Sequence, residues 1–505
     1  MIPTTRRGFL KTTGAAVAGA GGMAFLSSLP RVSADDAELD PKLVRLNSDI
    51  APLVRTLEDT PREKLLETIA ERIRKGLSYR ELLAALLLAG VRNIQPRPNV
   101  GFKFHAVLVI NSAHLASLNS PDAERWLPIF WALDHFKDSQ SATIKESGWR
   151  MSPVDESKVP TAHLAQKAFI DAMENWGEAA ADAAVAGLAR SAASHQAFEL
   201  LARYGARDFR DIGHKAIYVA NSFRTLQCIG WQYAEPVLRS LTYALMKNEG
   251  KNPAKNDLAP DRPWRRNETA IKDVRSDWLA GKIDDGAARE LLATLRGGSD
   301  EDATRLAIQM LNRGIAPQSI WDATMNSAAE LLMRQSGIVS LHSMTMSNAL
   351  RYAYDSVVDE RLRLQLLLQN VAVVPLFRGA AAGRGKLSDA NIDTLDEVPI
   401  QSEDAPIAEI FQDVSRDRLQ AARKTLAYLK VHPQPKELID AARVTTFMKG
   451  TDAHDYKFSS AVFEDYGHLS PAWRDRYLAA SMFYLRGSGA KDNELVKRTR
   501  AALNA

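Results

Sequence analysis

Leu53–Ala85, LVRTLEDTPREKLLETIAERIRKGLSYRELLAA, decides the fold class. Within it, Pro61–Lys75 puts Leu65, Leu66, Ile69 and Ile73 on one stripe. That i, i+3, i+4 spacing belongs to an amphipathic helix with one face toward a core. Thr60-Pro61 reads as its cap and first turn, and Gly76 as its stop. The same periodicity runs through most of the chain after Asp35, and alternating runs with Asn-Gly or Asp-Gly turns are scarce. The short apolar run Ala106–Ile110 suits strand or buried helix by period alone; its helical flanks decide for helix. The expected fold is all-α. Glu249–Arg266, Gly379–Asp389 and Lys145–Pro160 read as loops or lids from their Pro, Gly and polar content.

The same stretch recurs. Laid on Leu291–Ala323, LLATLRGGSDEDATRLAIQMLNRGIAPQSIWDA, it pairs Leu53 with Leu291, Thr56 with Thr294, Leu57 with Leu295, Glu63 with Glu301, Gly76 with Gly314 and Ala85 with Ala323, a shift of 238 residues. Phe104–Ala116 lies on Leu341–Ala353 at a shift of 237, and Asp211–Phe223 on Thr451–Phe463 at 240. Three separately chosen alignments agree on nearly one shift. They imply an internal duplication: helical halves at 45–245 and 285–490, joined by a linker or lid at 246–284 and related by a pseudo-twofold axis. The expected ligand site is the cleft between them.

Four of the ten histidines, His105, His214, His342 and His454, fall at repeat-equivalent positions, so each half supplies two imidazoles. Neutral imidazole is the commonest ligand for transition metals. Three of the four begin a motif of histidine, asparagine and a basic or imidazole side chain: His105, Asn111, His114; His342, Asn348, Arg351; and His214, Asn221, Arg224. In the fourth, Ala461 and Glu464 replace the asparagine and arginine. His214 and Asn221 share a helix face, whereas His105 and Asn111, six apart, point about 120° from one another on an ideal helix. The asparagines are expected to orient imidazoles or hold the cofactor, and Arg224, Arg351 and Tyr352 to position substrate. His195, with Glu199 one turn on, is a further ligand candidate. His135, His163, His432 and His468 receive no role.

Composition bounds the rest. The 505 residues carry 65 Lys+Arg against 61 Asp+Glu, a net charge of +4, with 46% hydrophobic residues, which suits a folded chain with a large core. No basic stripe marks a nucleic-acid partner. The single cysteine, Cys228, removes intramolecular disulfides, CxxC zinc sites, iron–sulfur clusters and covalent haem attachment. Its neighbours Leu226, Ile229 and Trp231 are apolar, which argues against a thiolate nucleophile. GxGxxG after a strand, the P-loop, GxSxG and HExxH are absent.

Residues 4–11, TTRRGFLK, precede an uncharged Gly/Ala-rich stretch from Thr13 to Leu29 and the small-residue site Val32-Ser33-Ala34. This resembles a twin-arginine export signal over residues 1–34. The resemblance implies that the export machinery is a partner, that the mature chain starts near Asp35 with no membrane span, and that it is periplasmic or otherwise exported. That route carries folded proteins, often with a cofactor already inserted. The combined expectation is a metal-dependent oxidoreductase acting on a small-molecule substrate. Iron, copper or manganese would be held by His105, His214, His342 and His454, and a variant has two of them ligating haem. Two alternatives stand beside it. One is a carbohydrate-active enzyme on an α/α toroid, with Asp208, Asp211 and Glu235 as acids and aromatic clusters around Trp126, Phe130, Trp131, Trp231 and Tyr233. The other is a non-enzymatic helical scaffold binding a partner through Glu249–Arg266.

Overall fold

A computed structural model describes residues 42–96, 102–246 and 252–505; residues 1–34, which resemble an export signal, lie outside them. The protein is all-α. Among the described residues eleven α-helices precede residue 275 and eleven follow it, with no strand and one isolated bridge between Lys282 and Ile315. The helices form for the reasons their sequences carry. Arg62–Arg74 buries Leu65, Leu66 and Ile69, and the chain leaves it through Gly76 at φ +101°, a left-handed turn that glycine takes without a Cβ clash. Asp300–Asn312 ends the same way at Gly314, φ +82°. The next helix in the first half, Tyr79–Asn93, starts on a capping box between Ser78 and Glu81.

Four helices form the centre: His105–Leu118, His214–Ile229, Ile338–Ser356 and Ala453–His468. They pack in a ring in that order, the last closing on the first. Each also packs against the helices that precede and follow it in sequence, which make an outer layer. Ala106–Ile110 is helical and buried within the first of them.

Some contacts recur at residues about 238 apart in the sequence. The helix Glu494–Asn504 packs on Arg62–Arg74, where Arg498 binds Glu67 and the carbonyls of Arg62 and Glu63. The helix Arg262–Ala270 packs on Asp300–Asn312, where Arg266 binds Asp300 and Glu301. Lys137 donates to the carbonyl of Leu57, and Arg378 to that of Leu295, the repeat-equivalent residue. Glu58 pairs with Arg92, both buried; 238 residues on, Arg296 pairs with Glu330. The positions match and the charges are exchanged.

Several loop expectations need correction. The 246–284 stretch is not a free lid: Arg262–Ala270 is a helix whose Trp264 is buried and whose backbone takes a hydrogen bond from Gln365. Gly379 belongs to the long helix Glu360–Ala382, which runs on because its apolar face is buried whatever its Gly/Ala content. Lys145 and Glu146 still belong to the helix Leu127–Glu146. The helix Glu494–Asn504 follows residue 490 and packs on Arg62–Arg74 and Leu127–Glu146. Glu360–Ala382 is long and apolar enough to cross a membrane by length and composition, and 78% of its apolar window is buried inside the fold.

Candidate metal centre

The four central helices bring His105, His214, His342 and His454 together. One ring nitrogen from each lies within 4.8 Å of the others, a group that could hold a metal ion. His105 and His214 begin their helices, His454 is second in its helix and His342 fifth. Six to ten residues further along all four helices comes a second layer: Asn111, Asn221 with Arg224, Asn348 and Glu464. Because the layers come in the same order on every helix, the four helices run parallel, with their N-termini at the histidine end. The partial positive charges of those termini converge there too and disfavour imidazolium.

Hydrogen bonding sets the tautomers. The Nδ1–H of His214 donates to the carbonyl of Asp211 at 2.5 Å, and that of His342 to the carbonyl of Ile338 at 2.6 Å. A carbonyl only accepts, so each ring's one neutral-state proton is on Nδ1, and Nε2 presents a lone pair. His454 is fixed from the same side: its Nδ1 is 2.8 Å from Asp452 Oδ1, and its buried Nε2 has no hydrogen-bond partner. Yet His214 Nε2 lies 3.0 Å from both His105 Nε2 and His342 Nε2. Protonating a ring would make such contacts hydrogen bonds. Burial, reinforced at His214 by the Lys457 ammonium, pushes its pKa well below the usual imidazole value. At His342 burial comes first, then the His214 and Lys457 charges, with the same result. Between His214 and His342, lone pairs therefore meet without a proton between them. In a tetrahedral shell with metal–nitrogen bonds of about 2.0–2.1 Å, ligand nitrogens stand about 3.3 Å apart. The observed spacing suits a cation at the centre better than an empty pocket.

The chain invests strain at this point. Asp211, Ile212 and Gly213, the three residues before His214, all have positive φ, at 55°, 46° and 84°. Non-glycine residues there cost on the order of 1–3 kcal/mol each and persist where the surroundings hold them. The Asp211 carbonyl so placed is the one that orients His214. A Cβ on Gly213 would fall 2.6–2.8 Å from Met346 side-chain atoms, so this position needs glycine for both its φ and the close approach of the His342 helix. The flanking pairs Lys215–Asp208 and Arg210–Asp261 hold the turn.

In the second layer Asn111 Nδ2 reaches Asn221 Oδ1 at 3.4 Å, and Asn221 Nδ2 donates to the Leu108 carbonyl. Arg224 donates to Asn221 and Asn348, pairs with Glu464, and lies 4.1 Å from the centre of the Tyr352 ring. Asn348 donates to Glu464 and Asp465. Glu464, which breaks the sequence motif, is thus the anion that Arg224 requires. The asparagines lie beyond the histidine layer, where these bonds hold neighbouring helices together and reach no imidazole.

Other expected residues lie elsewhere. Arg351 pairs with Asp355 and faces the Trp321 and Tyr354 rings, outside the second layer. His195 is exposed and not in the histidine group, and Glu199 instead accepts from the backbone N–H groups of Val358 and Asp359. Both line surface pockets rather than the centre. His114 turns to Tyr79, 2.9 Å away, and burial pushes it down to about 4. Burial likewise raises the Cys228 thiol. Asp208 binds Lys215, Glu235 binds Arg190 on the surface, and Asp211 contributes its carbonyl to His214, so these carboxylates form no common site.

Sequence reasoning missed Lys457 and Asp452. Lys457 is one turn along from His454, 2% exposed, with no hydrogen-bond partner at Nζ; burial pushes it down to about 7. The signal was a lysine between Tyr456 and Phe458 on a buried face. Asp452 caps its helix and holds His454; burial opposes its ionisation, but the His454 bonds prevail and keep it down at about 2. A capping Asp two residues before a candidate histidine was its signal.

Compared with protein-family models, curated proteins and solved structures, the chain matches none.

Proposed function

We propose that this protein is an exported metalloprotein that performs oxidation–reduction on a small-molecule substrate, at a centre shared by two duplicated helical halves. The observation that carries the reading is the four-histidine group, within which His214 and His342 bring Nε2 atoms to 3.0 Å although both rings have spent their protons on carbonyls. Four neutral nitrogen donors with no carboxylate among them suit iron or copper better than manganese, which prefers oxygen. The packed ring of helices gives no slot for a porphyrin, so a bare ion fits the donor set better than haem. The exchanged pairs Glu58–Arg92 and Arg296–Glu330 support the duplication. Export rests on the signal-like residues 4–11 and adds the translocation machinery as a partner.

The protein's own contribution is to gather four imidazoles in a buried pocket, with His214 and His342 fixed from behind by carbonyls and His454 by the Asp452 carboxylate. A redox metal bound there supplies the electron transfer. The test is uptake of iron(II), copper(II), manganese(II) and zinc(II) by the purified chain, followed by voltammetry. The expected result is a bound redox metal with a reversible couple that is lost in His214→Ala. Tight binding of zinc alone, with no couple for any metal, would overturn the redox assignment.

A further inference from the structure

Below the histidine layer, on the axis of the four helices, is a small cavity of about 10 Å³, the space open to the centre of a water-sized sphere. That is room for one water or an ion of similar size. Lys457 lines it together with Asn111, Asn221, Arg224, Asn348 and Glu464. Three buried polar atoms of this lining lack a hydrogen-bond partner: Lys457 Nζ, Arg224 Nε and Asn111 Oδ1. Two of the three are cationic donors. Glu464 is already bound to Arg224 and Asn348, so no carboxylate of the lining is left for the ammonium. A desolvated ammonium without a partner is costly, and buried charges are as a rule paired.

We infer that this cavity is an anion site, in which Lys457 Nζ holds a small inorganic anion of one heavy atom, such as hydroxide or a halide, below the histidine layer. No histidine lines it, so the site stands apart from the metal reading. The site selects by size, because the lining leaves no space for a carboxylic acid with a carbon chain. It also selects by charge, because its free groups are mainly donors.

The test is chloride binding, read by chlorine NMR line broadening, on the full chain with chelator and again after zinc loading. The variant is Lys457→Met, close to lysine in length and without the buried charge, so it is expected to fold; circular dichroism checks this. The wild type is expected to broaden the line saturably in both states, with bromide competing. Lys457→Met is expected to weaken chloride binding about tenfold or more. Unchanged chloride affinity in the variant, or no saturable broadening by the wild type, overturns the inference. A chain that takes up no metal but keeps Lys457-dependent chloride binding supports the anion site while removing the metal reading. Metal uptake without Lys457-dependent anion binding does the reverse.

Discussion

Replacing His342 by leucine should shift stability in opposite directions according to whether metal is present. His342 is fully buried, with its Nε2 3.0 Å from that of His214. In metal-free protein this nitrogen faces other lone pairs, and an unsatisfied buried polar group costs about 1–3 kcal/mol. Leucine removes it while filling similar space. The Ile338 carbonyl keeps its ordinary helical partner, the backbone N–H four residues on. The variant in chelator should therefore be as stable as wild type or up to about 2 kcal/mol more stable. With free metal at a hundred times Kd, binding stabilises wild type by about 2.7 kcal/mol, and a variant that has lost a central ligand forfeits most of that. The two conditions should thus differ by about 3–5 kcal/mol in the effect of one substitution. Urea unfolding of both proteins, with chelator and with metal, measures it. A loss of several kcal/mol that is equal in both conditions would refute the reasoning, because it would make His342 a satisfied structural side chain.

Other predictions follow from the same geometry. Glu58→Ala leaves Arg92 buried and unpaired and should cost about 3–5 kcal/mol in denaturant unfolding, whereas the double exchange Glu58→Arg with Arg92→Glu, which copies the polarity of the second half, should recover much of it. Gly213→Ala meets both a φ of +84° and the Met346 side chain, so it should lower stability and metal uptake together, the latter measured by metal analysis. For metal-free protein, His214 and His342 have folded pKa values depressed below those of the unfolded chain. Their stability contribution is complete above about pH 6.5 and is lost as pH falls, at up to about 1.4 kcal/mol per pH unit for each ring. Unfolding curves between neutral and acid pH should show that decline, and its loss in His342→Leu would be partial, with His214 and His114 retaining theirs.

The parts of this protein that were legible in its sequence are those written in local periodicity or in matched residue types. Leu65, Leu66 and Ile69 announce their helix, and the four histidines expected to group do come together. The exchanged ion pair was invisible to that comparison: Glu58 against Arg296 and Arg92 against Glu330 count as mismatches until the partners are seen side by side. Lys457 was hidden for a related reason, since Leu108, Ile217 and Thr345 stand at the same depth on the other helices. The six-residue gap between His105 and Asn111 looked wrong for one site. The structure agrees: Asn111 lies beyond the histidine layer and reaches Asn221, not an imidazole. Composition misled most at the loops. Gly379 and Trp264 lie in stretches that look irregular, yet packing against buried neighbours makes both helical.

The most direct test of the account is the metal content and X-ray absorption spectrum of the full-length protein purified without chelator. The account predicts one metal ion per chain, in a shell of nitrogen neighbours at about 2.0–2.1 Å with the multiple-scattering pattern of imidazole, and its loss in a variant lacking His214 and His342. A chain that remains metal-free after reconstitution, or a metal shell made of oxygen or sulfur, would contradict it.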